Sequence, residues 1–388
     1  MGLKSVSNFQ KINMSFLANM AYQIALISGQ LLIILYIYLK DGVEMLDSFF
    51  YILALLLPYY TFLLLGLRQL RLSNSISKGQ VHLVRFVSMF VFLLISVFVV
   101  NDINNVFYIF IFWKMNDFII DAVSLEFQIN KSHGLLLRIA ALRIIYLLVF
   151  LIYFDGELSS FILFSLPVLS LYFFYMVRTT RFYSFSFYAF KSMGYLGLIA
   201  SISSVVVSYP RVVLSESATI SSGVLSLISV VSYLYIIGQI VISATLPIIL
   251  PKISKDDIIF KFNINKYLVL ISVLSFVFVI VVFSLSWLGL WVADYELFEI
   301  ELYLLFLLLI MNLPFVFLVN FIEGFSSVRN VEKLVVISTF SAALLSICLS
   351  NYMADLWGGV GYALIIVMCF LLRFIISYYF IVIYKVVG

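Results

Sequence analysis

The sequence predicts an all-α fold: a polytopic membrane protein of about twelve transmembrane helices, arranged as two six-helix halves around a central cavity. Three observations predict it. Hydrophobic residues fill 64% of the 388 positions and charged residues only 11%, against roughly 45–50% and 25% in a soluble domain. The apolar residues come in long runs, each near the roughly 20 residues a helix needs to cross a hydrocarbon core about 30 Å thick, and too uniform for the alternating ~10-residue segments of a β-barrel. Lastly, the basic residues crowd onto alternate connections, as the charge bias of membrane topology requires.

Breaking the chain at charged and turn-forming residues places the spans at 16–39, 48–67, 84–100, 106–125, 135–154, 159–177, 193–209, 221–247, 267–291, 301–321, 333–353 and 358–384. The first follows Lys4 and Lys11 and is longer than a signal-peptide core, so it is expected to stay as an uncleaved span. With both termini cytoplasmic, 19 of the 23 Lys and Arg residues fall on inner segments or inner helix ends, Lys40 and Arg211 fall outside, and Lys114 and Arg373 lie within spans. Six spans in each part divide the chain into halves at 1–190 and 191–388, each entering from the cytoplasm. Pro58, Pro167, Pro247 and Pro314 are expected to bend their helices. Ser222, Ser226, Ser229 and Tyr233 in the eighth span read as a close-packing face.

Several classes of chemistry find no support. The connections are short, the longest outer one covering 209–220, and no GxxxxGK[ST] loop is present to bind a nucleotide. Cys348 and Cys369 fall in apolar runs without a CxxC pair, indicating neither disulfide nor metal site. His82 and His133 fall in polar connections and read as solvated loop residues. No cofactor and no nucleic-acid partner is expected.

The fourth span breaks the apolar rule. It carries Lys114, Asp117 and Asp121, and at 100° per residue the aspartates lie about 60° and about 20° round from the lysine, with Ser124 and Gln128 continuing the stripe. Charge at the bilayer centre costs roughly 2.5–3.5 kcal/mol per residue on insertion scales, so this face must turn to the bundle interior or to water. One reading makes Asp117 and Asp121 ion-coupling or gating groups whose protonation follows their surroundings. The other makes a packing pair of Asp117 with Lys114 or Arg143. Further cations for a cavity are Arg143 in the fifth span, Arg373 in the last, either binding an anion or pairing with Asp117 or Asp121, Arg68 at an inner mouth beside Gly66, and Arg211 as a gate cation at the outer mouth beside Pro210. Glu323 reads as a cytoplasmic helix end.

The order of these features resembles the polysaccharide-type flippases, the O-antigen (Wzx-like) members of the multidrug/oligosaccharidyl-lipid/polysaccharide exporter superfamily. The resemblance rests on twelve spans, on LLLGLRQLRLSNSIS after the second, on WKMNDFIIDAVSLEFQINKSHG around the fourth, and on YPRVVLSES followed by SSGVLSLISVVSYLYIIGQI. It implies a multi-pass protein of the bacterial inner membrane that moves an undecaprenyl-pyrophosphate-linked sugar repeat from the cytoplasmic to the periplasmic leaflet. The partners so implied are that lipid-linked oligosaccharide, membrane lipids, a coupling H+ or Na+, and polysaccharide polymerase and chain-length proteins. Lys114, Arg143, Arg211, Arg373 and Arg68 would contact the headgroup, arginine offering two-pronged hydrogen bonds to phosphate. An O-antigen polymerase and a drug or metabolite exporter of the same superfamily are the alternatives. The polymerase would be expected to carry long outer loops, which are missing here.

Overall fold

Glycine breaks, proline bends and side-chain caps set where the helices of this chain start and stop. The computed structural model describes residues 2–72, 76–100, 103–130, 132–179, 187–216, 228, 257–292, 300–323 and 332–383. Its helices are α1 (Gly2–Leu63), α2 (Leu67–Leu72), α3 (Lys78–Val99), α4 (Asn105–Ile129), α5 (His133–Tyr153), α6 (Leu158–Thr179), α7 (Phe187–Glu216), α8 (Asp257–Val292), α9 (Ile300–Met311), α10 (Leu313–Glu323) and α11 (Glu332–Tyr378), the last running into a π-helical turn at Tyr379–Ile383. No strand occurs among the described residues. The expected eighth span, apart from Ile228, and Pro247 lie outside them.

Eight segments among the described residues are long and apolar enough to cross a membrane. Two of these are double. Met20–Leu63 has 44 residues and Lys333–Ile383 has 51, and at 1.5 Å per residue each is about twice the length needed to span the hydrocarbon. Each is broken by a glycine in the left-handed region, Gly42 (φ 80°) inside the connection expected at 40–47 and Gly358 (φ 50°) at the first residue of the expected twelfth span, just past the connection at 354–357. The helix α4 is missing from the eight for the reason that makes it interesting, its charges.

The α3 start departs from expectation. Ser77 accepts from the Gln80 backbone N–H at 3.3 Å while the Gln80 side chain accepts from the Ser77 N–H at 2.7 Å, a reciprocal capping box. The helix therefore begins at Lys78 rather than 84, and His82, expected in a solvated loop, is fully buried inside it, with its ring Nδ1 3.2 Å from the Tyr172 hydroxyl. The outer connection expected over 209–220 is corrected likewise, because α7 runs through Pro210 to Glu216. Proline cannot give an N–H to the carbonyl four residues back. Here that carbonyl, on Val206, accepts from the Ser346 hydroxyl at 3.2 Å, which removes the penalty for an unpaired backbone group.

The tenth span is two helices, α9 and α10, separated at Asn312. The Asn312 N–H is shared between the Leu308 and Leu309 carbonyls at 3.2 and 3.3 Å, and Pro314 has no N–H for Ile310, so the ladder fails over one turn.

The chain falls into two units, Met1–Ser201 and Ile202–Gly388, the boundary lying inside α7. In the first, α1, α3, α5 and α6 pack around α4. Its core is aromatic: Phe112 stacks on Phe150 with centroids 3.7 Å apart, and Tyr60 meets Phe118 edge-on at 4.9 Å. By contrast α6 exposes Leu163, Leu166, Leu171 and Phe174, the surface expected of a lipid-facing helix. The end of α1 and the start of α7 approach closely, since a Cβ at Gly197 would stand 2.8 Å from the Phe62 carbonyl oxygen. In the second unit α11 packs on α9 and α10, and α8 packs on α10.

Candidate functional site: the charged stripe of α4

Starting from α4, the side chain of Asn104 caps the Phe107 N–H at 3.1 Å and sets the helix in register. Acids then follow along the helix, Asp117 and Asp121 on one face and Glu126 about 180° round from Asp117, each met by an arginine from a neighbouring helix. Asp117 Oδ1 accepts from Arg143 Nη2 of α5, and its Oδ2 lies 3.4 Å from Lys114 Nζ. Asp121 accepts from Arg85 Nη2 of α3. Glu126 accepts from Arg71 of α2, through Nε at 2.9 Å and Nη2 at 3.3 Å. At the end of the helix, Gln128 Oε1 accepts from Arg68 Nη2 at 2.8 Å.

Each of these side chains needs its partner. Lys114 and Arg143 are only 5% and 6% exposed, and an unpaired charge so deep would cost several kcal/mol. Lys114 is held further by rings, its Nζ lying 3.5 Å from the Trp113 centroid and 4.4 Å from that of Tyr60, positions where a ring face attracts a cation. The Asp121 side chain is the more open, at 26% exposed. Arg85 also donates through Nη1 to the Leu64 carbonyl at 2.9 Å, tying the end of α1 to α4. Tyr22 of α1 donates to Ser124 at 2.8 Å, and Ser124 to the Asp121 carbonyl at 3.1 Å.

The balance of the stripe is positive. Lys114, Arg143, Arg85 and Arg68 meet Asp117, Asp121 and the neutral Gln128, four cations to two carboxylates, while Arg71 and Glu126 form a balanced pair round the helix. Four donors on or beside it, Arg143 Nη1, Arg85 Nε, Trp113 Nε1 and Gln128 Nε2, are buried without a hydrogen-bond partner. Chemically, the face can accept an anion, or exchange one carboxylate partner for another.

Of the site residues read from sequence, Lys114, Asp117, Asp121, Arg143 and Arg68 come together on this stripe. Arg373 belongs to the second unit and is paired within it. The expected pairing of Arg373 with Asp117 or Asp121 is corrected: both aspartates are taken by Arg143 and Arg85, and Arg373 binds Glu323 with two nitrogens, Nε at 2.7 Å and Nη2, with Nη1 on Ser203. Ser377 donates to Glu323 at 3.1 Å. Glu323, read as a helix end, is therefore the acid of a buried pair in the second unit. Arg211, expected as a gate cation in an outer connection, lies within α7, 6% exposed, with Nε 3.2 Å from the Tyr362 hydroxyl. Sequence reasoning missed Arg85 as a member of the stripe, and the Arg71–Glu126 pair beside it. The signal for Arg85 was the S-x-x-Q box at 77–80, which carries α3 far enough to bury it.

No family model matches the chain, and no curated protein matches it. Among solved structures, the chain is similar to the one described as the crystal structure of eukaryotic MATE transporter AtDTX14, with a TM-score of 0.62 and 14% identity, over 98% of this chain and 96% of that one. At that identity the likeness is one of fold, so the chain has the fold of a polytopic membrane protein like that transporter.

Proposed function

We propose that the chain is a flippase carrying polyprenyl-diphosphate-linked oligosaccharide repeat units from the cytoplasmic to the periplasmic leaflet by alternating access. The observation that carries the reading is the stripe of α4, where Lys114, Arg143, Arg85 and Arg68, four cations, meet two carboxylates, Asp117 and Asp121, with buried donors to spare. A headgroup with two phosphates and several sugars is a dense set of acceptors, and a buried, cation-rich face is suited to it. Lys114, Arg143 and Arg68 would contact the phosphates, with Arg211 and Arg373 as contacts in the second unit. Asp117 and Asp121 hold the arginines when no anion is present and serve as coupling or gating groups. The fold likeness to a transporter supports carriage over enzymatic glycosyl transfer.

The same likeness favours a second reading, export of a drug or metabolite, since the similar structure is described as a MATE transporter. One experiment separates the two. Under the flippase reading, deleting the gene removes a surface polysaccharide while single lipid-linked repeats accumulate on the cytoplasmic face. Intact polysaccharide with altered drug tolerance would establish the exporter, and repeats accumulating outside would establish a polymerase.

A further inference from the structure

We propose that Arg68 and Gln128 form a separate capture site for the phosphate of a lipid headgroup, engaged before the deeper part of the stripe. This rests on the flippase reading for the identity of the lipid. The reason lies in charge compensation. Arg143, Arg85 and Arg71 are each bonded to a carboxylate, Asp117, Asp121 and Glu126 respectively. An anion arriving there must first displace an acid.

Among the described residues Arg68 has no such acid. Its bond goes from Nη2 to the neutral amide oxygen of Gln128 at 2.8 Å. Because a guanidinium only donates, this bond fixes the amide: Oε1 is used, and Nε2 must point elsewhere. That Nε2 is buried and has no partner, although buried amide donors are nearly always satisfied. The pair therefore presents donors alone, an uncompensated guanidinium beside an unmet N–H. A phosphate, which offers only acceptors on a planar-fork-matching edge, completes both. The negative end of the α4 dipole explains why cations gather here, but it leaves the amide N–H unexplained.

Position gives the order of events. Arg68 stands on α2 just past the tight turn at Leu65 (φ 50°) and Gly66 (φ 57°), and Gln128 is in the last turn of α4. The charge pattern of the connections puts this end of both elements at the cytoplasmic surface, so a headgroup leaving the inner leaflet meets this pair before Asp117 and Arg143.

The test uses the full chain in lipid nanodiscs, titrated with sugar-free polyprenyl diphosphate and, separately, with inorganic pyrophosphate. The parent should bind the lipid diphosphate in a salt-sensitive manner. Arg68→Ala should weaken it about tenfold or more, the scale of one lost charge-assisted bond. Gln128→Glu, nearly isosteric, should weaken it similarly by giving Arg68 the acid it lacks, and a monodisperse elution profile guards against misfolding. Unchanged affinity in both variants overturns the site. Equal affinity for inorganic pyrophosphate overturns the lipid as its ligand. If the lipid binds as expected yet gene deletion leaves polysaccharide intact, the flippase reading fails and the phosphate site stands.

Discussion

Asp117 answers to two cations at once, Arg143 and Lys114, which makes its charge worth more to the site than that of any single partner. Replacing it by asparagine leaves two buried cations facing a neutral amide. Transport by Asp117→Asn is expected to fall tenfold or more while the amount of protein in the membrane falls by less than half; equal losses in both would reduce Asp117 to a packing residue. In the second unit the prediction has the opposite emphasis. Arg373 makes three bonds to Glu323 and Ser203 and stands 4% exposed, and removing one partner of a buried pair costs about 3–5 kcal/mol. Arg373→Ala should therefore depress the thermal midpoint of the purified protein sharply, and Glu323→Gln should do so nearly as much. If the two losses simply add in the double variant, the residues are not coupled.

The elements show where local rules decide the outcome. The capping box of α3 fixes its start, and through it the burial of His82 and Arg85. Ser77→Ala should cost about 1 kcal/mol, typical of a lost N-cap, and should raise hydrogen-exchange rates most at the Gln80 and Val81 amides. Close helix approach sets a second limit. A Cβ at Gly197 would press on the Phe62 carbonyl, and one at Gly66, already at φ 57°, would lie 2.4 Å from the Leu196 side chain. Gly197→Val should lower membrane expression several-fold, whereas Gly194→Ala, with open space around it, should leave it unchanged; similar yields from both would contradict the crossing.

At the scale of the whole molecule, helix content and most boundaries were legible because twenty-residue apolar runs can do little else in a bilayer. The glycine breaks at Gly42 and Gly358 fell in or next to the expected short connections for the same reason. The stripe was legible as a face, since Lys114, Asp117 and Asp121 share one side of a helix by period alone. Its partners were not. Which arginine meets which acid depends on how helices distant in sequence pack, and Arg373 with Glu323, 50 residues apart, carries no local sign of pairing. The continuation of α7 through Pro210 was hidden too, because the hydroxyl that satisfies Val206 comes from Ser346, 140 residues away.

Orientation in the membrane is the remaining property that the basic residues predict for the chain as a whole, and it can be measured without any knowledge of the cargo. Arg68 and Arg71 lie between α1 and α3 and Lys78 opens α3, whereas Asp155 and Glu157 lie between α5 and α6 and no basic residue accompanies them. The positive-inside rule then puts Lys78 in the cytoplasm and Glu157 outside. In a background with Cys348 and Cys369 replaced by alanine, Glu157→Cys should react with a membrane-impermeant maleimide in intact cells, and Lys78→Cys should react only after the membrane is opened. The reverse pattern would turn the molecule over, and the Arg68–Gln128 end of the stripe would then face the outer leaflet, converting a capture site into a release site.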